Sequence, residues 1–163
     1  MILILLHAIL QCSLDGFIAG PNGELDWLPG PDAGVEDTFA PFMKTVGAML
    51  MGRTSFDVVN AMGPAMWAYG DTPFFVATSR ALTPPRPSVR AITGDITSNV
   101  AAARSAADGK VVYLDGGALI RSALDAGLVD EIIVTLVPKL LGKGVPLFAG
   151  VSRMQDLEVS ACT

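Results

Sequence analysis

Short, largely apolar runs recur along this chain, at 2–11, 46–51, 74–78, 89–92, 111–114 and 131–137. A run without in–out alternation fits a strand covered on both faces, the usual condition of a strand in a parallel sheet. Between the runs lie segments at 35–44, 55–62, 98–107 and 119–126 that read as helices. In the third of these, Val100, Ala103 and Ala107 form a weak apolar stripe, and Asp108-Gly109 stops the helix. Strands alternating with helices specify an α/β domain. A further strand is expected at 157–160.

Size and composition narrow the class. With 163 residues and no long linker or repeat, residues 1–163 read as a single domain. The longest apolar run, residues 1–6, is far short of the ~20 residues that span a bilayer. MILILLHAIL lacks the basic flank and small-residue cleavage site of a signal peptide, so it reads as a buried first strand. A net charge of −5 disfavours nucleic acid as the main partner but leaves room for a local anion site. Cys12 and Cys162 make no CxxC pair, and a reducing cytoplasm fits. The one histidine, His7, lies inside the apolar opening, which weakens any histidine-based metal site or Ser-His-Asp triad. No metal is expected.

Polar chemistry concentrates at three strand ends. The first is MGRTSF, where Gly52 and Arg53 precede Thr54 and Ser55, residue types that cap helix starts. Exposed backbone N–H groups there attract anions, and an arginine offers a planar fork for phosphate. The second is TSR, where Ser79 and Arg80 follow a strand and suit a monophosphate such as that of NADP. The third is LDGGALI, where Gly116 and Gly117 present bare backbone at a helix start. Each motif alone reads equally as an ordinary cap, a surface arginine or a tight turn. GG matches neither dinucleotide fingerprint. Together the corners share the carboxyl edge of an open sheet, where ligands of α/β folds bind, and suggest a ligand with several phosphates.

The series SLDGFIA (13–19), MGRTSF (51–56), TSR (78–80), LDGGALI (114–120) and GLVDEIIVTLVPKLLGKGVPLF (127–148) resembles the dihydrofolate-reductase-like superfamily. The nearer branch is that of the C-terminal reductase domain of bacterial riboflavin biosynthesis. The resemblance covers nearly the whole chain. It implies a central, mostly parallel sheet with helices on both faces, NADPH as cofactor and a homodimer. It implies that Gly52, Arg53, Thr54 and Ser55 hold phosphates and that Ser79 and Arg80 meet the adenosine side. Gly116 and Gly117 would lie against the diphosphate, through a peptide that is often cis in relatives, with Ala118, Leu119 and Ile120 opening the helix behind. Ser13 and Asp15 would line the nicotinamide and substrate, Ile18 and Ala19 would touch the ring, and Trp27 would close the pocket. Asp15 reads equally as part of an Asp-Gly turn. Relatives usually end in a strand pair, which here is expected to be incomplete.

The activity so implied is hydride transfer from NADPH to a C=N or C=O carbon of a pteridine-, pyrimidine- or flavin-precursor-like substrate. The protein then has to align two rings, exclude water and supply a proton. Asp15 is one candidate donor; Glu36 and Asp37, near the position where dihydrofolate reductases place an acid before the GR motif, are others. The competing expectation is a non-catalytic NADP-binding or regulatory dimer on the same fold, with no competent proton donor.

Overall fold

The apolar runs become the strands of one sheet. A computed structural model of the chain describes residues 5–30 and 38–162. The central strands are β1 (Leu6–Ser13), β3 (Val46–Gly52), β4 (Phe74–Ala77), β5 (Val89–Ile92), β6 (Val111–Asp115) and β7 (Glu131–Val137). They stand in the order β5-β4-β3-β6-β1-β7, and every neighbouring pair is parallel. Parallel neighbours need crossovers, supplied by α2 (Arg53–Ala61), α3 (Ile96–Ala106) and α4 (Gly117–Asp125). The short α1 (Phe39–Met43) precedes β3.

Helices cover both faces, as expected. On one face Ala48, Leu50, Val112 and Leu114 pack with Val100 and Ala103 of α3 and Ile120 and Ala123 of α4. On the other, Met49, Met51, Phe74, Val76 and Tyr113 pack with Phe56 of α2 and with Phe39 and Phe42. This two-sided burial is why the strands read as continuous apolar runs.

The chain runs from β3 outward to β4 and β5, then returns to β6 on the other side of β3. The connections after β3 and β6 therefore diverge: α2 leaves toward one face and α4 toward the other. A crevice opens between the carboxyl ends of such a strand pair.

Several expectations are corrected. Residues 157–160 form no strand; Leu157 and Val159 are 70% and 82% exposed, and with Glu158 and Ser160 around them they bury nothing. An antiparallel pair, β2 (Phe17–Ala19) with β8 (Val145–Pro146), was not foreseen, because two and three residues are too few to show periodicity. α2 and α4 start two residues earlier than their side chains suggest, at Arg53 and Gly117. Among the described residues every peptide bond is trans, including Gly116–Gly117. Of the segment expected as the first helix, 35–37 lie outside the described residues, and with them Glu36 and Asp37. Among the described residues no helix is long and apolar enough to cross a membrane.

Candidate functional site

The carboxyl ends of β3 and β6 lead into two helix starts that carry no side-chain cap. The N-cap of α2 is Gly52 and that of α4 is Gly116, and neither start has a capping side chain. Thr54 and Ser55, expected to cap α2, lie inside its first turn instead. By contrast α3 is closed by its own acid, with Ser98 N–H donating to Asp95 at 2.7 Å. A helix start without such a carboxylate leaves N–H groups and partial positive charge facing solvent.

The two starts touch. Gly116 has φ +105°, and a Cβ placed on it would stand 3.1 Å from Ser55 Oγ and 3.3 Å from Gly52 N. Only glycine satisfies both the left-handed backbone and that approach. Ile120 belongs to the packing beneath: it is buried in the core and its N–H donates to the Gly116 carbonyl at 2.9 Å. Ala118 is exposed at the rim, and Leu119 lines a neighbouring cleft.

The second corner joins the first through an ion-pair chain. Arg53 Nε donates to Asp57 Oδ1 at 2.7 Å, and its Nη1 donates to the carbonyls of Ala81 at 2.9 Å and Arg80 at 3.4 Å. Arg53 thus braces the start of α2 against the loop after β4. Arg80 reaches the other Asp57 oxygen at 3.3 Å and is 63% exposed, so its guanidinium remains open to solvent. The Arg80 N–H donates to Thr78 Oγ1 at 3.0 Å, fixing the turn that carries Ser79. Behind this turn lies a cleft of about 430 Å³ between the ends of β4 and β5 and helices α3 and α4.

The segment after β1 folds over the same rim. Ser13 is fully buried; its hydroxyl donates to Asp15 Oδ1 at 2.7 Å and accepts from Phe17 N–H at 3.0 Å. Asp15 also accepts from Leu141 N–H at 3.1 Å and Gly142 N–H at 2.7 Å. The bond from Ser13, with those from Gly142 and Leu141, holds its carboxyl below the usual carboxylate range. Both residues expected here are therefore engaged in latching one loop to another. Ile18 lies over the third corner, its Cδ1 2.8 Å from where a Gly117 side chain would begin. Arg121 of α4 donates to the carbonyls of Pro146 at 2.9 Å and Leu147 at 3.1 Å, tying β8 and hence the β2–β8 pair, with Ala19, to the helix. Trp27 is buried, its indole N–H donates to the Glu24 carbonyl, and its own carbonyl accepts from Lys139 Nζ at 2.6 Å.

One acid at the rim was overlooked. Asp115 ends β6 beside Met51, one residue before the glycine pair. Side chains alternate along a strand, so with Leu114 in one core and Tyr113 in the other, Asp115 shares the Tyr113 side. Burial pushes its carboxyl up to about 6, with the Gly116 N–H pulling the other way. Its charge adds to burial in raising the hydroxyl pKa values of Tyr69 and Tyr113. A carboxyl in that range is protonated or ionised near neutrality according to small changes in its surroundings, which suits a proton donor.

The model of the RibD C-terminal domain family matches residues 6–163. The chain belongs to that family. YyaP, an uncharacterised protein of Bacillus subtilis strain 168, is 32% identical over 161 residues, covering 92% of this chain and 83% of YyaP. A crystal structure from Shewanella sp. PV-4, of a protein provisionally named for riboflavin biosynthesis, superposes with a TM-score of 0.83 at 31% identity. That match covers 97% of this chain and 90% of the other. Dihydrofolate reductase from Enterococcus faecalis, in complex with NADP(H), shares the fold with a TM-score of 0.63 at 19% identity. It covers 91% of this chain and 79% of its own length. The resemblance read from the motifs is thus the right one: this RibD C-terminal domain has the dihydrofolate reductase fold.

The structure brings all three corners of this RibD C-terminal domain together and adds Asp57 and Asp115 to them. Asp57 had one sequence signal, its i,i+4 spacing from Arg53, which marks an ion pair on a helix but no site. Asp115 lay within the quoted LDGG motif, but only its half-buried place at the end of β6 distinguishes it from a turn aspartate.

Proposed function

We propose that the protein is an NADPH-dependent reductase of the riboflavin-pathway kind, acting on a C=N or C=O carbon of a pteridine-, pyrimidine- or flavin-precursor-like substrate. The observation that carries this reading is the contact of two uncapped helix starts at Gly52 and Gly116. Such a pair matches a diphosphate: two sets of N–H donors, no carboxylate cap on either, and glycine at both caps, with the Ser55 hydroxyl beside them. Gly52, Thr54, Ser55, Gly116 and Gly117 would hold that group, with Arg53 bracing their loop. Ser79 and Arg80 would take the 2′-phosphate that separates NADPH from NADH. Ile18 and Ala19 would flank the nicotinamide.

When bound, NADPH supplies the hydride. The chain's own residues do the rest. Asp115, at the end of β6 beside the glycine pair and with its carboxyl pushed up to about 6 by burial, would supply the proton. Ser13 and Asp15 fix the loop that covers the crevice, and Trp27 with Lys139 pins its far side, keeping water out. Asp15 thereby passes from donor to positioning residue, because a carboxylate stabilised by three donors yields a proton only in acid.

The test is calorimetric titration of the purified protein with NADPH and NADH, beside a turnover screen of pterins, aminopyrimidine ribosides and simple carbonyls. Tight NADPH binding, weakened by Arg80→Ala more than NADH binding is, and consumption of NADPH with one substrate class support the reading. Saturable NADPH binding without turnover across the panel would instead assign a nucleotide-binding or regulatory role. No nucleotide binding would sink both.

A further inference from the structure

The loop that follows β2 carries an asparagine directly before a glycine. The chain has three asparagines, Asn22, Asn60 and Asn99, and only Asn22 precedes a glycine. Asn60 and Asn99 lie in α2 and α3, where the next N–H is committed to a carbonyl one turn back. Asn22 and Gly23 are both exposed, and the Gly23 N–H makes one turn bond, to the Gly20 carbonyl at 3.0 Å. Such a bond opens readily in an exposed loop. Having no Cβ, Gly23 then lets its nitrogen reach the Asn22 carboxamide, an approach that a side chain would obstruct.

The same asparagine closes the turn. Its Nδ2 donates to Glu24 Oε1 at 2.7 Å, and its backbone N–H donates to Glu24 Oε2 at 2.8 Å. The Asn22 side chain is the chief reason that the Glu24 carboxyl lies below the usual carboxylate range, so Glu24 is ionised at neutral pH. The Glu24 carbonyl in turn accepts from Gly20 N–H at 2.9 Å and from the Trp27 indole N–H at 3.2 Å. A neutral amide at position 22 is thus what lets this carboxylate fold back onto its own turn.

We propose that Asn22-Gly23 is a site of spontaneous deamidation, and that the reaction converts the clasp between Asn22 and Glu24 into a repulsion. The Gly23 nitrogen attacks Asn22 Cγ and gives its proton to solvent base. The new N–Cγ bond closes a cyclic imide, and the carboxamide nitrogen leaves as ammonia. Water then adds to either imide carbonyl and opens the ring, leaving aspartate or isoaspartate at position 22. Nothing is oxidised or reduced: water enters and ammonia departs. The aspartate sets a second carboxylate where Nδ2 had met Glu24 Oε1. The isoaspartate routes the main chain through Cγ, lengthening it inside the turn that joins Gly20 to Gly23. Either product loosens residues 20–24 and with them the seat of the Trp27 indole. The chemistry is independent of what the crevice binds.

The experiment ages the full-length native protein in neutral buffer, beside a sample held in denaturant, and maps both by peptide mass spectrometry. Asn22 is expected to convert in the folded protein, with isoaspartate told from aspartate by fragmentation, while Asn60 and Asn99 stay amides. Asn22→Gln, whose longer side chain disfavours the imide, should stay unmodified over the same interval. An unmodified Asn22 in the folded protein, whether or not the denatured sample converts, overturns the assignment. Hydrogen exchange reads the consequence. In the aged protein and in Asn22→Asp, the Gly20 and Gly23 amides should exchange about tenfold faster, the effect of losing one charge-assisted hydrogen bond from a loop. Adding Glu24→Gln to Asn22→Asp should bring exchange back to within about twofold of native, because an amide again faces a carboxylate. Native exchange rates in the converted protein would overturn the repulsion. The aged native protein carries this measurement even if a variant fails to fold.

Discussion

Asp57 holds Arg80 at 3.3 Å with the carboxylate oxygen it does not give to Arg53. In this arrangement an acid of the chain sits where a phosphate would bring its own negative charge. Asp57→Asn keeps the shape, weakens the hold on Arg80 and removes a like charge from the site. The ion pair is largely solvated and worth about 1 kcal/mol at most, so NADPH affinity should rise by roughly two- to fivefold, with NADH nearly unaffected. Titration of both cofactors at low and moderate salt checks it. A weaker NADPH complex would mean that Asp57 presents the arginines rather than competing with the ligand.

Asp115 should trade stability for chemistry. A carboxyl whose folded pKa lies near 6 instead of 3.8 binds more protons folded than unfolded between those values. Stability therefore falls as pH rises through that window, and the cost is complete above it. Asp115→Asn removes the charge, so above pH ~6 the variant should be more stable by roughly 2–3 kcal/mol, some 4–10 °C in melting temperature. Below pH ~4 the difference should vanish. Turnover should drop by roughly 10²–10⁴-fold, and the native enzyme should lose activity as pH rises past ~6. Thermal melts across pH, beside rates, decide it; a variant with native turnover would remove Asp115 from the chemistry.

How much of this was legible depended on whether burial or partnership defines a residue. β3 and β6 were plain because strands covered on both faces must be apolar throughout, and Met49–Met51 and Val112–Leu114 are. The starts of α2 and α4 were misplaced because Gly52 and Gly116 cap through backbone conformation, whereas Thr54-Ser55 carries the chemistry of a cap without its position. The same glycines carry the proposed site, so the misplacement fell where that site departs from ordinary capping. The segment 157–160 has strand-forming residues but finds no face to cover. Asp57 acquires its meaning from Arg80, 23 residues away. No periodicity encodes such pairings.

The two glycines of the third corner should respond differently. At Gly116 a side chain meets the Gly52 backbone and the left-handed φ of +105° together. Gly116→Ala should lower stability by about 1–3 kcal/mol and weaken NADPH more than tenfold. At Gly117 the first atom met is the flexible end of Ile18, 2.8 Å away, with Arg121 Nη1 at 3.2 Å. Gly117→Ala should fold with near-native stability, whereas Gly117→Val should displace Ile18 and abolish cofactor binding. Denaturant midpoints and titrations on the three variants separate the cases, and native affinity in Gly117→Val would refute the corner.

Asp15 is expected to act as a latch. Its carboxylate receives Leu141 N–H and Gly142 N–H as well as the Ser13 hydroxyl, and the lowered pKa reflects those donors. A carboxyl lowered on folding contributes stability that is present above its unfolded pKa and lost as pH falls through the folded one. The loop at 139–144 should therefore loosen only below pH ~4, the ordinary range of an aspartate. Asp15→Ala should loosen it at neutral pH, so that the Leu141 and Gly142 amides exchange hydrogen faster while β3 and β6 keep their protection. If the latch covers the crevice, KM should rise more than kcat falls. Proton donation by Asp15 would give the reverse, a collapse of kcat with little change in amide exchange, and that pattern would return the acid's role from Asp115 to Asp15.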